Sequence, residues 1–248
     1  MWQTNKPRAN YSRYNRRVNP ESETWLLLNS GPGAAALNMA LDETLLELAS
    51  QLRQPVLRFY GWTERGASFG YAQKYAKVAR LTLLRPLVRR PTGGGLVPHD
   101  ADWTYSLVFP PGHWWHASRA TESYQRVHEW IRDAFARLNI TTELSPGTRK
   151  DSPGQCFVGA ERFDVLWSGR KIAGAAQRRN RQGLLIQGSV QPPTQALAKA
   201  DWQKAICDVA GAKWRVQWSP FAPNAVLDKR VEELARQKYS RAEYNQCR

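Results

Sequence analysis

Apolar and polar positions along this chain follow two periods, and the switches between them mark out its elements. Trp25-Leu26-Leu27-Leu28 is a short unbroken apolar run, as expected of a buried strand. After a turn at Gly31-Pro32-Gly33, leucines at 37, 41, 45 and 48 recur at helical spacing and predict a helix with that stripe inward. Residues 56–60 alternate like a strand and Leu87-Val88-Arg89-Arg90 reads as another. Residues 102–109 predict a third, with Trp103, Tyr105 and Leu107 on one face. Residues 119–138 predict a long amphipathic helix whose stripe is Val127, Trp130, Ile131, Ala134 and Leu138. Three more strands are expected at 163–167, 172–177 and 184–190, with Ser168-Gly169 as a hairpin turn. From about Thr194 short helices alternate with a Trp-rich loop, and a charged helix follows near 225–240. Strand clusters separated by isolated long helices indicate an α+β fold, a mixed β-sheet flanked by helices, and not a doubly wound one.

Composition adjusts this picture. The chain has 248 residues, with 36 Lys and Arg against 21 Asp and Glu, a formal charge of +15. Hydrophobic residues make up 42%, which is globular and not disordered. Lys6, Arg8, Arg13, Arg16 and Arg17 stand in the first twenty residues with no acid among them. Residues 1–23 therefore read as a basic flexible tail and 24–248 as one domain. No apolar run is long enough to cross a bilayer. Three cysteines without regular spacing argue for a reducing compartment, and the expected location is cytoplasmic. The charge excess raises nucleic acid as a first partner, with eleven tryptophans available for stacking. Against it, those tryptophans are scattered singly and no nucleic-acid motif is present.

Three segments carry candidate chemistry. In Arg89-Arg90-Pro91-Thr92-Gly93-Gly94-Gly95-Leu96-Val97-Pro98-His99-Asp100, three glycines in a row remove every Cβ, so a ligand can lie on the backbone. Their N–H groups could cradle an oxygen while the two arginines add positive charge; the alternative is a long hairpin loop with nothing bound. The spacing matches neither dinucleotide nor P-loop fingerprints. No second His stands at metal-ligand spacing from His99, so no metal is expected. In Gly169-Arg170-Lys171-Ile172-Ala173-Gly174-Ala175-Ala176-Gln177, Lys171 opens a strand of small residues that leaves room for an extended substrate; the alternative is an ordinary exposed lysine. Cys156 sits in a Gly/Pro loop, where nearby cations would make it a nucleophilic thiolate; the alternative is an inert free cysteine, and Lys171 reaching it would decide. Cys207 lies in a helical stretch and reads as core.

Together and in this order, these segments resemble the lipoate–protein ligase and octanoyltransferase family, related to biotin–protein ligases. Asn38-Met39-Ala40-Leu41-Asp42-Glu43, residues 57–62 and Ser68-Phe69-Gly70-Tyr71-Ala72-Gln73 are similar to earlier family motifs, and the resemblance covers residues 24–190. It implies a biotin/lipoate ligase-like catalytic domain with an acyl tunnel ending at Lys171. Cys156, fifteen positions before Lys171, resembles the placement in the cysteine-dependent octanoyltransferases. That branch uses no cofactor: it moves octanoyl, or lipoyl, from acyl carrier protein or another acyl-lipoyl protein, through a cysteine, to a lysine of an acidic lipoyl domain. On this resemblance Cys156 and Lys171 are catalytic. Arg90, Thr92, Gly93, Gly94, Gly95, Val97, His99, Ala173, Gly174 and Ala175 bind substrate, with Leu96 also lining the tunnel. One departure is Gln187, where the family carries His.

The alternatives are an ATP- and Mg-dependent lipoate–protein ligase, a non-catalytic lipoyl-domain binder, and the nucleic-acid binder. Acidic carrier domains as partners also account for the charge, part of it beside the proposed site in Arg89, Arg90, Arg170, Lys171, Arg178, Arg179 and Arg181.

Overall fold

A computed structural model describes residues 22–150, 157, 159–193 and 196–247. The basic tail up to residue 21 and Cys156 therefore lie outside the described residues. In chain order the elements are β1 (Glu23–Gly33), α1 (Ala35–Glu47), α2 (Ala49–Leu52), β2 (Val56–Trp62), β3 (Gly66–Phe69), α3 (Tyr75–Leu81), β4 (Leu87–Arg89), β5 (Val97–His99) and β6 (Trp103–Phe109). There follow α4 (Trp114–Ala117), α5 (Ala120–Arg137), β7 (Glu143–Leu144), β8 (Arg149–Lys150), β9 (Gly159–Ala160), β10 (Val165–Trp167), β11 (Arg170–Asn180) and β12 (Gly183–Val190). The last elements are α6 (Lys199–Trp214), β13 (Val216–Pro220), α7 (Ala225–Leu234), a π-helical turn at Ala235–Tyr239 and α8 (Ala242–Asn245).

Eight strands form a mixed sheet in the order β13-β1-β2-β6-β12-β11-β10-β7. β1 runs parallel to β13 and β2, and the remaining neighbours are antiparallel. A second sheet, β4-β3-β5, has three strands. The expected α+β architecture is the observed one. Two of the expected loops differ. Gly31-Pro32-Gly33 is not a turn but the far end of β1, reached through a bulge after Asn29 that Gly31 permits with φ +65°. The Trp-rich C-terminal loop is the end of α6 followed by β13, which the period-2 pattern was too short to reveal.

Strand alternation sorts side chains onto two faces. Trp25, Leu57, Phe59, Trp103, Tyr105, Leu107, Leu184 and Ile186 meet α5 and α6, whereas Leu26, Leu28, Val56, Val108 and Leu185 meet α1 and α7. The α5 stripe is buried as expected, apart from half-buried Leu138. The tryptophans that stand apart in sequence converge in space. Trp25, Trp103, Trp115, Trp130, Trp202 and Trp214 are all core, and Trp25 packs on Phe109, Trp130, Trp214 and Trp218. Each such ring contributes about 3–5 kcal/mol on truncation. Buried there, they present no stacking surface to a nucleic acid.

α1 is a helix where one was expected, but its inner face is different. Leu37 is 43% exposed and Leu41 only half buried, while Asn38, Asp42, Glu43 and Thr44 are buried. A polar inner face is tolerated because each of these carboxylates finds a cation or hydroxyl: Arg58, Tyr60 and Ser106 for Asp42, Lys238 and Tyr239 for Glu43. The C-terminal segment also fastens the small sheet. Arg89 is fully buried and donates to the carbonyls of Tyr71, Gln73, Tyr244 and Asn245.

Candidate active site

The small sheet stands off the large one, and between them opens a cleft with a largely apolar lining, the kind of concave surface that takes small ligands. Large-sheet residues Tyr60, Trp62, Thr104, Gly174, Ala175, Ala176, Gln187, Gly188 and Ser189 form one wall, and Ser68, Arg90, Val97 and His99 form the other, with Met39, Phe157 and Lys171 completing the lining. Its polar groups are mostly bonded to each other. An apolar chain could therefore occupy the space without stranding a donor or acceptor.

Two buried networks build that wall. In the first, Asp42 accepts from Arg58 at 2.7 Å, from Ser106 at 2.7 Å and from Tyr60 at 3.2 Å. Burial and the adjacent Asp42 carboxylate push the Tyr60 phenol well up, so it stays a neutral donor. Gln187 donates through Nε2 to Asp42 at 2.7 Å and accepts the Thr92 hydroxyl on Oε1 at 2.7 Å. An amide does this because it carries both a donor and an acceptor. Gln187 thus fastens the glycine loop to α1 and β12.

In the second network His99 stacks on Trp62 with ring centroids 3.8 Å apart. Its Nδ1 lies 2.9 Å from Asp102, which can only accept, and its Nε2 lies 2.7 Å from the Ser68 hydroxyl. Asp102 also accepts from Ser189 at 2.6 Å. The carboxylate facing His99 is thus Asp102 and not the adjacent Asp100, which is exposed and pairs with Arg65 at 3.4 Å. Arg90 donates to Ser68 and to the carbonyls of Gly93 and Gly95. It braces the glycine loop from inside.

At the other end of the cleft Lys171 is ion-paired with Asp164 at 2.8 Å, and its side chain is only 6% exposed. The Phe157 ring lies 5.4 Å from the Lys171 ammonium, a cation–π contact at the cleft lining. The hairpin at Ser168-Gly169, with φ +49° and +73°, sets this pairing: it folds β10 onto β11 so that Val165 opposes Ala173 and Asp164 reaches Lys171. Gly174 lets the lysine lie flat. A Cβ there would fall 2.6 Å from Lys171 Cε and 2.7 Å from Nζ.

Residues 34–209 match the lipoyl protein ligase A/B catalytic domain over most of the chain. The chain belongs to that family. Relatives include the octanoyltransferase LipM of Macrococcus caseolyticus, 36% identical over 181 residues that cover 68% of this chain and 66% of that protein. The LipM octanoyltransferase of Bacillus subtilis is 35% identical over 183 residues, with the same coverage. The match thus spans just under two-thirds of the length of these relatives. The fold is that of a lipoate-protein ligase A solved with ATP bound, with a TM-score of 0.71 and 20% identity over 90% of this chain and 98% of that one.

Within this lipoyl protein ligase A/B domain the expected site residues divide into three groups. Lys171, Arg90, Val97, His99, Gly174 and Ala175 line one cleft. Thr92, Gly93, Gly94 and Gly95 do not line it: Thr92 is buried against Gln187, Gly94 is exposed, and the loop links β4 and β5, which flank β3 and do not form a hairpin with each other. Ala173 and Leu96 turn away into the two cores on either side of the cleft. Cys156 lies outside the described residues, but its chain neighbour Phe157 lines the cleft. Burial pushes the Cys207 thiol up to about 12, as suits a core cysteine and not a nucleophile. Of the arginines named beside the site, Arg89 and Arg90 are buried and spend their donors on protein oxygens. Only Arg170 and Arg181 are exposed outright. Asp164, Asp102 and Asp42 were missed; Asp102 and Asp42 are recognised only through the partners the fold brings to them. Asp164 had a readable signal, since it stands seven residues before Lys171 across a legible hairpin.

Proposed function

We propose that this chain is an octanoyltransferase that moves an octanoyl group from an acyl-carrier thioester to a lysine of a lipoyl domain through a Cys156 acyl-enzyme. The observation that carries the reading is the meeting of Lys171 and Phe157, the residue joined to Cys156, at a cleft whose polar wall is already satisfied. The LipM names of its relatives support it. In the first step Cys156 gives up its thiol proton and attacks the donor thioester carbonyl as the thiolate. The carbonyl–sulfur bond to the carrier breaks, and the carrier sulfur leaves as a thiol with that proton. In the second, the acceptor lysine amine attacks the acyl-cysteine, losing a proton as the Cys156 thiol is restored. The Lys171 ammonium stabilises the thiolate and the tetrahedral oxyanion in both steps. The acyl chain lies along Val97, Ala175, Ala176 and Met39, and no ATP or metal takes part. Acidic carrier and lipoyl domains suit a chain of charge +15.

The test is incubation with octanoyl-acyl carrier protein and an apo lipoyl domain without ATP, followed by intact mass measurement. The expected result is one octanoyl mass on the lipoyl domain and, in its absence, on the enzyme. Cys156→Ala abolishes both and Cys207→Ala neither. Strict dependence on ATP and free lipoate would assign the chain to the ligases, and full transfer by Cys156→Ala would exclude the covalent route.

A further inference from the structure

Asp164 is fully buried, and its two oxygens are spoken for in different directions. Oδ2 pairs with Lys171 at 2.8 Å and accepts the Glu161 backbone N–H at 2.6 Å. Oδ1 accepts the Tyr124 hydroxyl at 2.5 Å. His128, one turn along α5 from Tyr124, brings Nε2 to 4.0 Å from Oδ1. Burial holds the His128 imidazole down at about 4, so it stands neutral beside the carboxylate at ordinary pH, and its Nδ1 donates to the Tyr124 carbonyl. Among the described residues Lys171 is thus the cation paired with Asp164; the Tyr124 hydroxyl donates to that carboxylate, and His128 and Tyr105, both kept neutral by burial, stand about the pair.

A lysine side chain has four rotatable bonds, and free in a cleft it would spread its ammonium over several positions. Here three features select one: the Asp164 oxygen that receives it, the missing Cβ of Gly174 that it lies against, and the Phe157 ring. The carboxylate is itself fixed from α5 through Tyr124 and from its own loop through Glu161 N–H. We infer that Asp164 is the positioning residue for Lys171, held in turn by Tyr124, and that the pair presents Lys171 to the reacting carbonyl as an oriented ammonium and not as a general base. The inference rests on the proposed role of Lys171 in acyl transfer.

Three variants test it, each read by transfer kinetics and by the 15N resonance of the Lys171 ammonium, assigned with Lys171→Arg. Asp164→Asn keeps the shape and removes the charge. It is expected to lower kcat about 100-fold with KM for the carrier little changed, as for one lost oxyanion donor. Without its carboxylate the buried ammonium is less favoured, so the alkaline limb of the rate profile and the Lys171 titration both move to lower pH. Asp164→Glu restores part of kcat and moves the titration back. Tyr124→Phe, which leaves the ion pair and loosens only its support, lowers kcat by about tenfold or less without moving the titration. Should Asp164→Asn not fold, the Glu and Phe variants still decide. An Asp164→Asn enzyme with wild-type kcat, or a Lys171 titration unmoved by it, overturns the inference, as does wild-type turnover in Tyr124→Phe together with unaltered Asp164→Glu. If the wild-type chain transfers nothing, the functional reading has failed, and the ammonium titration still reports whether Asp164 holds Lys171.

Discussion

Gly174→Ala separates the placement of Lys171 from the stability of the fold. The added Cβ would stand 2.6 Å from Lys171 Cε, 2.7 Å from Nζ and 3.3 Å from Asp164 Oδ1. The obstructed atoms are the end of a flexible side chain, so the backbone of β11 can stay where it is while the ammonium swings off Asp164. Folding loses part of one buried ion pair. It gains about 0.4–1 kcal/mol from the narrower unfolded ensemble of Ala. The net change should stay within about 2 kcal/mol, roughly 4–8 °C in Tm for a chain of this size. Catalysis has no such compensation: an ammonium displaced by about 1 Å costs on the order of 100-fold, and outright loss of one oxyanion donor about 100- to 1,000-fold, or 2.7–4 kcal/mol. Gly188→Ala provides the contrast. Its Cβ would be driven into the buried ring of Tyr105, which has nowhere to go, so overpacking of about 1–3 kcal/mol or more falls on stability first. The assay is single-turnover octanoyl transfer alongside thermal unfolding of both variants. Wild-type turnover in Gly174→Ala, or a loss of turnover only in proportion to unfolded protein, would refute the placement argument.

Two further predictions concern the buried polar groups. His128 is held at about 4 when folded, against 6.5 in an unfolded chain, so the unfolded state binds the extra proton between those values. Stability should therefore fall as pH drops from about 6.5 to about 4, by at most roughly 3 kcal/mol from this group, and urea unfolding of His128→Phe should lose that slope. Gln187→Leu strands the Thr92 hydroxyl and one bond of Asp42; unfolding should show a cost of about 1–3 kcal/mol, with the glycine loop exchanging its amide hydrogens faster.

Much of the fold was legible because it rests on local period. The α5 stripe, the β10–β11 hairpin turn and the run of β6 with Trp103, Tyr105 and Leu107 inward all follow from spacing that any compact fold must bury. The α1 face misled for a physical reason. Leucines at helical spacing look like a core stripe, yet the strands beneath α1 carry Arg58, Tyr60, Ser106 and Gln187, so the helix turns Asn38 and Asp42 inward and leaves Leu37 in solvent. The arginines misled likewise: charge counted along the chain cannot distinguish a surface guanidinium from Arg89, which caps four backbone carbonyls.

By itself the sequence determined the element types, the α+β class and a lysine in a strand of small residues, because each depends on neighbours within a few positions. Only the tertiary structure decided that the small sheet stands off to open a cleft and that eleven scattered tryptophans include six that converge in one core. It alone set Gln187 between Asp42 and Thr92 and the Tyr124 hydroxyl on Asp164. Such pairings are fixed by strand register and helix docking, which bring together residues far apart in the chain whose identities carry no local mark of one another.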